Sequence, residues 1–185
     1  MKLSYFSRTV GKKGENNRLR REGGIPAILY GKDLMQPIFI KKEEVAALLR
    51  SMNPDLLGTT PLELNDGHKT HKVLVKEVQY HRTSYAIEHI DFFLVSDAKA
   101  MEVNIPIQLV GVSECVGVKL GGFVRQVIRS LKVTCLSKDL PKEFTLDVRG
   151  MDIGHAKRLS DISMPSGVQP MAKMDEVAVV VAKKV

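Results

Sequence analysis

The sequence contains little cysteine and no long apolar run, and each absence excludes a class of protein. Only two of the 185 residues are cysteines, Cys115 and Cys135, so a disulfide-stapled scaffold is excluded. The longest strictly apolar run covers residues 177–182, far short of the ~20 residues that a membrane-spanning helix requires. The first residues contain no apolar stretch of signal-peptide length either. We therefore expect a cytoplasmic protein without a membrane partner, built around its own hydrophobic core.

Charge is unevenly distributed along the chain. The formal net charge is +7, from 28 lysines and arginines against 21 aspartates and glutamates. Residues 1–32 alone hold eight basic and two acidic groups, a net charge of +6 in the first sixth of the chain. A localised basic segment is typical of a protein that binds a phosphate backbone. A solvated basic face that only keeps the protein soluble would give the same pattern, so charge alone leaves both interpretations open.

Alternating apolar residues predict a mainly β chain of two domains. Residues 1–94 contain six or seven strand-like segments, and in the last of them Ile90, Phe92 and Leu94 share one face. Two short helices are predicted there, one in residues 17–24 and one between Glu43 and Met52. The pattern breaks around residue 97, so we place a domain boundary between residues 94 and 95. The sequence thus predicts a small barrel-like β domain followed by a second β-rich domain.

The second half contains more short strand-like segments, with two features that bear on topology. Residues 101–111 alternate regularly but contain Pro106, which has no N–H for a ladder hydrogen bond. This predicts an edge strand or a bulge. Residues 111–122 contain several glycines and are predicted to form a loop.

No constellation typical of catalysis or metal binding is present. His68 and His71 lie beside a predicted turn without a third ligand, whereas a zinc site needs three or four convergent ligands. Cys135 falls on an apolar strand face, which favours a core position. Gly121-Gly122 lacks the residues that complete a phosphate-binding loop. We therefore expect a non-enzymatic protein without a cofactor, a metal or a small-molecule substrate.

The basic segment has the composition expected of an RNA-binding helix. In a helix over residues 17–21, Arg18 and Arg21 lie on one side while Leu19 points inward. Guanidinium groups bind phosphates and base edges bidentately, and the preceding glycines allow close approach of the backbone to a phosphate. The ring or the hydroxyl of Tyr30 could contact RNA. Tyr30 could equally well be a half-buried residue of the barrel. The candidate contacts in the segment are Lys13, Asn17, Arg18, Arg20 and Arg21.

A second polar constellation combines Gln79 with His89 and Asp91. His89 and Asp91 are two residues apart on a predicted strand, so both side chains leave the same face of the sheet. A polar pair on a rigid sheet can contact base edges, sugars or bound water. The spacing alone favours the alternative, a surface contact between His89 and Asp91 that contributes little. An acid among phosphates lowers affinity unless it accepts a specific hydrogen bond or coordinates a cation. Asp91 is therefore expected to act in specificity.

Two blocks of the sequence resemble the signatures of the large-subunit ribosomal protein family that binds 5S rRNA. Residues 11–32, GKKGENNRLRREGGIPAILYGK, resemble the first signature, GKG-xx-RRLRR-x-G-x-IPA-x-x-YG. Residues 76–81, KEVQYH, with residues 87–95, IEHIDFFLV, resemble the second signature, Q-x-H followed by HxDF. Residues 95–185 resemble the second domain of the long form, also called general stress protein CTC, through VNIPIQLVG, GGFV, LKVTCL and DVRGMDIG.

The resemblance implies a six- or seven-stranded β-barrel in residues 1–94, short helices, and a β-rich domain in residues 95–185. It implies a non-enzymatic constituent of the large ribosomal subunit that binds the loop E region of 5S rRNA on the widened minor-groove side. Asn17 departs from the family pattern, which usually has an arginine there, and so does the Tyr80-His81-Arg82 run. Contacts of residues 95–185 with other rRNA or ribosomal proteins stay open. The RNA contacts carried over are Arg8, Lys13, Arg18, Arg20, Tyr30, Gln79, His89 and Asp91.

One alternative function uses the same kind of fold. A stress-linked barrel module could bind tRNA or another RNA without being a stable part of the ribosome. The anticodon-binding barrels of glutaminyl-tRNA synthetases have a similar fold, so a barrel does not identify its RNA. A synthetase would also need a nucleotide-binding domain, and the sequence contains no motif for one.

Overall fold

Two β-rich units make up the chain, Met1–Ser96 and Asp97–Val185. The computed structural model describes residues 2–8, 14–31, 34–67, 69–96 and 99–183. The predicted fold class is confirmed: the first unit is a closed barrel with short helices, and the second is also built mainly of strands. No helix among the described residues is long and apolar enough to span a membrane. Two residues discussed above, Lys13 and His68, lie outside the described ranges.

Six strands of the first unit close into a barrel. Their order around the barrel is β1-β3-β2-β6-β5-β4. Two neighbouring pairs are parallel: β1 with β4, which closes the ring, and β2 with β6. Closure pairs both edges of every strand, so inward residues share one core and outward residues form one continuous surface. The strands are β1 (Lys2–Ser7), β2 (Gly24–Tyr30), β3 (Met35–Lys41), β4 (Leu62–Asn65), β5 (Thr70–Tyr80) and β6 (Ile87–Leu94).

Alternate residues of the six strands fill the barrel, and one helix adds to the core. Helix α2 (Lys42–Ser51) follows β3 directly and buries Val45 and Leu48 in the same cluster as the strand residues. The helix predicted between Glu43 and Met52 is thus confirmed. The Glu44 carboxylate accepts a hydrogen bond from the Ser4 backbone N–H at 2.7 Å, which links α2 to β1.

Helix α1 (Glu15–Arg21) lies on the outside of the barrel against β2. It begins after Gly14 and ends before Gly23, both at positive φ (97° and 83°), a conformation that glycine adopts without steric cost. No residue of α1 is fully buried, but Leu19 packs on the first residue of β2. A Cβ atom at Gly24 would lie 2.8 Å from Leu19 Cδ1. Glycine at this position therefore allows the helix to approach the sheet.

The second unit contains two small sheets. A four-stranded sheet has the order β10-β7-β9-β12, and a three-stranded sheet has the order β11-β13-β8. The central strand β13 buries Ala178, Val179 and Val181. The elements are β7 (Met101–Val110), α3 (Val116–Lys119), β8 (Gly122–Gln126), β9 (Ser130–Cys135), β10 (Phe144–Asp147), β11 (Ala156–Arg158), β12 (Gln169–Pro170) and β13 (Val177–Lys183).

Two predictions for the second unit are wrong. Strand β7 is not an edge strand, because it lies between β9 and β10. Its ladder with β9 also contains no register shift, so no bulge is present there. Pro106 pairs with Ser130 at the end of the β7–β9 ladder, and the β10 ladder begins at the next residue, Ile107. The proline therefore falls where pairing passes from one neighbour to the other. Residues 111–122 are also not a plain loop, since they contain a 3-10 turn and the one-turn helix α3.

Candidate nucleic-acid interface

Arg20 fixes α1 to the barrel. Its Nε and Nη2 atoms both donate to the backbone carbonyl of Glu88 at 3.1 Å, and Nη1 donates to Asn17 Oδ1 at 3.1 Å. An isolated helix of seven residues is not stable in water, so attachment to the barrel is needed to hold α1 in place. Three of the five guanidinium N–H groups are engaged within the protein, leaving two for a ligand. The sequence predicts a ligand contact at Arg20 but not this anchoring role.

Arg8 supports α1 from the other side. Its Nε donates to the Ile38 carbonyl in β3 at 3.0 Å, and Nη1 donates to Asn16 Oδ1 in α1. Burial lowers the pKa of Arg8, the Glu15 carboxylate opposes that shift, and the Arg20 guanidinium adds to it. Strand β2 lies between β3 and β6, so the two arginines attach α1 to strands on both sides of β2.

The remaining polar residues of α1 face solvent. Arg18 Nε contacts Glu22 Oε1 at 2.8 Å, with both side chains more than half exposed, and this hydrogen bond raises the pKa of Arg18. An exposed ion pair of this kind contributes little to stability, so a phosphate can replace Glu22 as the partner of Arg18. Arg21 is exposed, and its side chain forms no hydrogen bond or ion pair within the described part of the chain. These two arginines therefore present their charge to solvent.

A polar row runs across the outer face of β5 and β6. The strand register places Gln79 opposite His89 and Glu77 opposite Asp91. His89 Nδ1 lies 2.7 Å from Asp91 Oδ1, and both side chains are half-buried, so the predicted sharing of one face is confirmed. A carboxylate that accepts from Nδ1–H leaves the imidazole Nε2 available to a ligand. Gln79 Nε2 lies 3.5 Å from Glu77 Oε1, a weak contact that leaves the amide adjustable.

Tyr30 borders this polar row on the neighbouring strand. It pairs with Phe93 across β2 and β6, and the two rings meet edge-on with centroids 5.7 Å apart. Lys76 Nζ lies 5.8 Å from the centroid of the Phe93 ring. Burial raises the pKa of Tyr30, and the charges of Asp91 and Glu77 raise it further. Tyr30 is thus a half-buried barrel residue whose hydroxyl stays protonated near the row.

Of the sequence-predicted residues, Arg20, Gln79, His89 and Asp91 meet at the Glu88–His89 segment of β6, whereas Arg8 contacts α1 from the side of β3. Arg20 of α1 binds the Glu88 carbonyl, and the next residue belongs to the polar row. Neither Glu77 nor the backbone of Glu88 is predicted from the sequence. The register of β5 against β6 shifts near Glu77, and a carbonyl acceptor leaves no mark in the sequence. Lys13 stays a prediction because it lies outside the described residues.

Neither clustered metal-binding side chains nor exposed thiols occur among the described residues. None of their histidine, cysteine, aspartate and glutamate side chains form a cluster of three or more that could hold a metal ion. Cys115 and Cys135 are free thiols and both are buried, and burial raises the pKa of the Cys135 thiol, with a further contribution from Asp139. The predicted core position of Cys135 is confirmed.

Comparisons with known proteins cover the whole chain. The model of the ribosomal L25p family matches residues 3–92, and the model of the ribosomal protein TL5 C-terminal domain matches residues 100–184. The chain is 39% identical over 186 residues to the large ribosomal subunit protein bL25 of Chlamydia abortus, and 36% identical to that of Chlamydia pneumoniae. In both comparisons, 100% of each chain is covered. Both units are therefore shared with these relatives.

Proposed function

The chain belongs to the ribosomal L25p family, in a long form that also contains the TL5 C-terminal domain, and from this membership we propose that it binds 5S rRNA in the large ribosomal subunit. Proteins of this family are structural and not enzymes. The proposed binding surface is the outer face of the barrel around α1 and the polar row. The proposed target is the loop E region, on its widened minor-groove side. The protein would then be ribosome-bound in the cytoplasm.

One observation carries the proposal: a basic helix is held directly beside a row of polar side chains. Contacts to phosphates position a protein on RNA, whereas contacts to base edges and sugars give specificity. Arg18 and Arg21 supply exposed charge for phosphates. Gln79, the free Nε2 of His89 and the Tyr30 hydroxyl supply donors and acceptors. Both kinds of contact are thus available within one surface.

The acidic residues of the row restrict how RNA could lie there. Asp91 and Glu77 face each other across β6 and β5, and two carboxylates disfavour a phosphate backbone over this part of the sheet. They favour hydrogen-bond donors instead, which RNA displays in its wide minor groove as 2′-hydroxyls and amino groups. The backbone would then lie on the α1 side, and the groove edges would face the row.

A salt series tests the electrostatic part of the proposal. Binding of the full chain to 5S rRNA is measured on filters over a range of salt concentrations. If about five phosphates are neutralised, the logarithm of affinity falls with the logarithm of salt concentration with a slope of about −4. A flat response would refute a phosphate-binding surface.

Competition tests the identity of the RNA. A 5S rRNA fragment that contains loop E is expected to displace full-length 5S rRNA, whereas a fragment without loop E and bulk tRNA are not. Equal competition by tRNA would favour the alternative of a general RNA-binding barrel. Displacement by the fragment without loop E would refute the proposed target but not RNA binding.

A further inference from the structure

The loop that joins β5 to β6 presents two tyrosines to solvent. Tyr80 is 47% exposed and Tyr85 is 78% exposed, and the side chains of His81 and Arg82 between them are also exposed. The whole chain has four tyrosines and no tryptophan, so half of its tyrosines lie in residues 80–86, which comprise the last residue of β5 and the loop after it. The loop contains no acidic residue from 80 to 86.

The loop is held in one conformation by its own hydrogen bonds. The His81 N–H donates to the Ala86 carbonyl at 2.8 Å, and the Tyr85 N–H donates to the His81 carbonyl at 3.0 Å. The Nδ1 atom of His81 accepts from the backbone N–H groups of Thr83 at 3.4 Å and Ser84 at 3.3 Å. These bonds preorganise the loop, which lowers the entropy lost when a ligand binds.

Tyr85 has an unfavourable backbone conformation. Its φ is 54°, and it is the one non-glycine residue at positive φ among those the structure describes. Glycine or asparagine usually occupies this left-handed region, because a Cβ atom crowds the following carbonyl there. Because the Tyr85 ring lies largely in water, it contributes little to the stability of the fold. Strain of this kind, held in place by surrounding bonds, points to a function.

We propose that the loop of residues 80–86 is a base-stacking element of the RNA interface. Tyr85, assisted by Tyr80, would stack on an unpaired or splayed base, and Arg82 would contact an adjacent phosphate. RNA-binding proteins use aromatic rings and guanidinium planes in this way. The inference rests on the proposed RNA-binding function and extends its surface beyond the polar row.

The position of the loop supports RNA as the ligand. Tyr80 follows Gln79 of the polar row, and Ala86 is separated by one residue from Glu88, whose carbonyl anchors α1 through Arg20. The loop is therefore continuous with both parts of the proposed surface. Arg82 is the only permanently charged residue from 80 to 86. Its positive charge suits contact with a phosphate.

Substitution of Tyr85 tests the effect of the ring on RNA binding separately from its effect on stability. Tyr85→Gly removes the ring and also relieves the backbone strain, so we expect an unchanged or higher Tm. We expect the Kd for 5S rRNA to rise on the order of fivefold or more, the lower range for loss of one stacked base. Tyr85→Phe keeps the ring and should bind within about twofold of the parent chain, given a role through stacking. Phe123→Ala, at a residue of the second unit that is 47% exposed, is the matched control and should not change the Kd.

Fluorine NMR gives a readout that does not depend on affinity. In the full chain with 3-fluorotyrosine, the resonance of Tyr85 is assigned through Tyr85→Phe. It is expected to shift on addition of 5S rRNA, whereas the resonance of Tyr5, which is 3% exposed in the core, should not. An unmoved Tyr85 resonance in the saturated complex would contradict stacking.

The outcomes distinguish this inference from the proposed function. If Tyr85→Gly leaves the 5S rRNA Kd unchanged while Asp91→Asn raises it, the loop is not part of the interface and the inference is overturned. An unchanged Kd together with reduced incorporation of Tyr85→Gly into large subunits would assign the loop to a protein partner, which also overturns it. Absence of any salt-dependent binding to 5S rRNA would refute the proposed function itself.

Discussion

Replacement of Arg20 tests whether α1 must be held on the barrel for RNA to bind. Arg20→Ala removes both hydrogen bonds to the Glu88 carbonyl and the bond to Asn17. Once the guanidinium is removed, water can bind the Glu88 carbonyl and replace part of what is lost. The remaining attachments of α1 are Leu19 on Gly24 and the contact between Arg8 and Asn16. We therefore expect the helix to remain folded against the barrel for a smaller fraction of the time.

The size of the effect follows from the hydrogen bonds. Each bond contributes about 0.5–1.5 kcal/mol net, and somewhat more when one partner is charged. The three bonds are partly exposed and share one guanidinium, so we assign them about 2 kcal/mol together. If RNA binds only the docked helix, this loss raises Kd by at most about thirtyfold.

Two further variants separate anchoring from charge. Arg20→Lys retains the positive charge but lacks the planar fork that binds one carbonyl through two N–H groups. If Arg20 acts as an anchor, this variant weakens binding nearly as much as Arg20→Ala. Arg21→Ala removes an exposed charge from the same helix and should reduce the salt slope by about one unit with a smaller loss of affinity.

Filter binding and hydrogen exchange together give the result. The Arg18 amide donates to the Gly14 carbonyl and the Glu22 amide donates to the Arg18 carbonyl, so the exchange of both amides reports on the integrity of α1. Both should exchange faster in Arg20→Ala and Arg20→Lys than in Arg21→Ala. Affinity and exchange in Arg20→Lys equal to those of the parent chain would refute the anchoring role.

Three other substitutions test separate parts of the structure. Asp91→Asn removes the charge that orients the neighbouring imidazole, so we expect weaker 5S rRNA binding by about 1–3 kcal/mol with little change in salt slope; unchanged affinity in filter binding would place the interface elsewhere. Gly24→Ala puts a Cβ atom 2.8 Å from Leu19 Cδ1, so it should destabilise the barrel in thermal unfolding by about 1–3 kcal/mol and weaken RNA binding as well. In the second unit, hydrogen bonds from Arg149 lower the pKa of Asp147 from 3.8 to about 2. A lowered pKa stabilises the folded state above pH 3.8, and this contribution is lost as the pH falls through about 2. An NMR titration of Arg149→Ala should show the Asp147 pKa returned towards 3.8.

Controls accompany the first two of these tests. Gln79→Glu adds charge to the polar row without moving α1, so it should weaken RNA binding while leaving thermal unfolding unchanged. Gly67→Ala offers a comparison for Gly24→Ala, because nothing lies within 4 Å of its added Cβ atom although its φ is 92°. Equal loss of RNA affinity in the two glycine variants would contradict the close contact with Leu19 as the cause.

Local patterns in the sequence predicted the elements and the faces of the barrel. The alternation of Ile90 and Phe92 with His89 and Asp91 predicted which residues point inward, because successive residues of a strand face opposite sides. The same rule predicted the shared face of the histidine and the aspartate. It did not predict Pro106 correctly, because the effect of a missing N–H depends on where each neighbouring strand begins and ends.

The candidate site depends more on pairing between distant segments. Arg20 and Glu88 are 68 residues apart, and the acceptor is a backbone carbonyl that any residue would provide. Glu77 faces Asp91 because the β5–β6 register shifts beside it, and a shift of one residue changes the face of a side chain. The left-handed φ of Tyr85 likewise results from loop closure, since tyrosine does not itself favour it.

The sequence by itself determined the membership in a family, the β-rich class and the concentration of charge in residues 1–32, because these follow from residue types and local spacing. Only the tertiary structure decided what the charges do. The hydrogen bonds of Arg20 and Arg8 hold α1 to strands on either side of β2, while Arg18 and Arg21 remain exposed to solvent. The physical reason is that a guanidinium binds whichever acceptors the fold brings within about 3 Å, and strand order and register determine those acceptors.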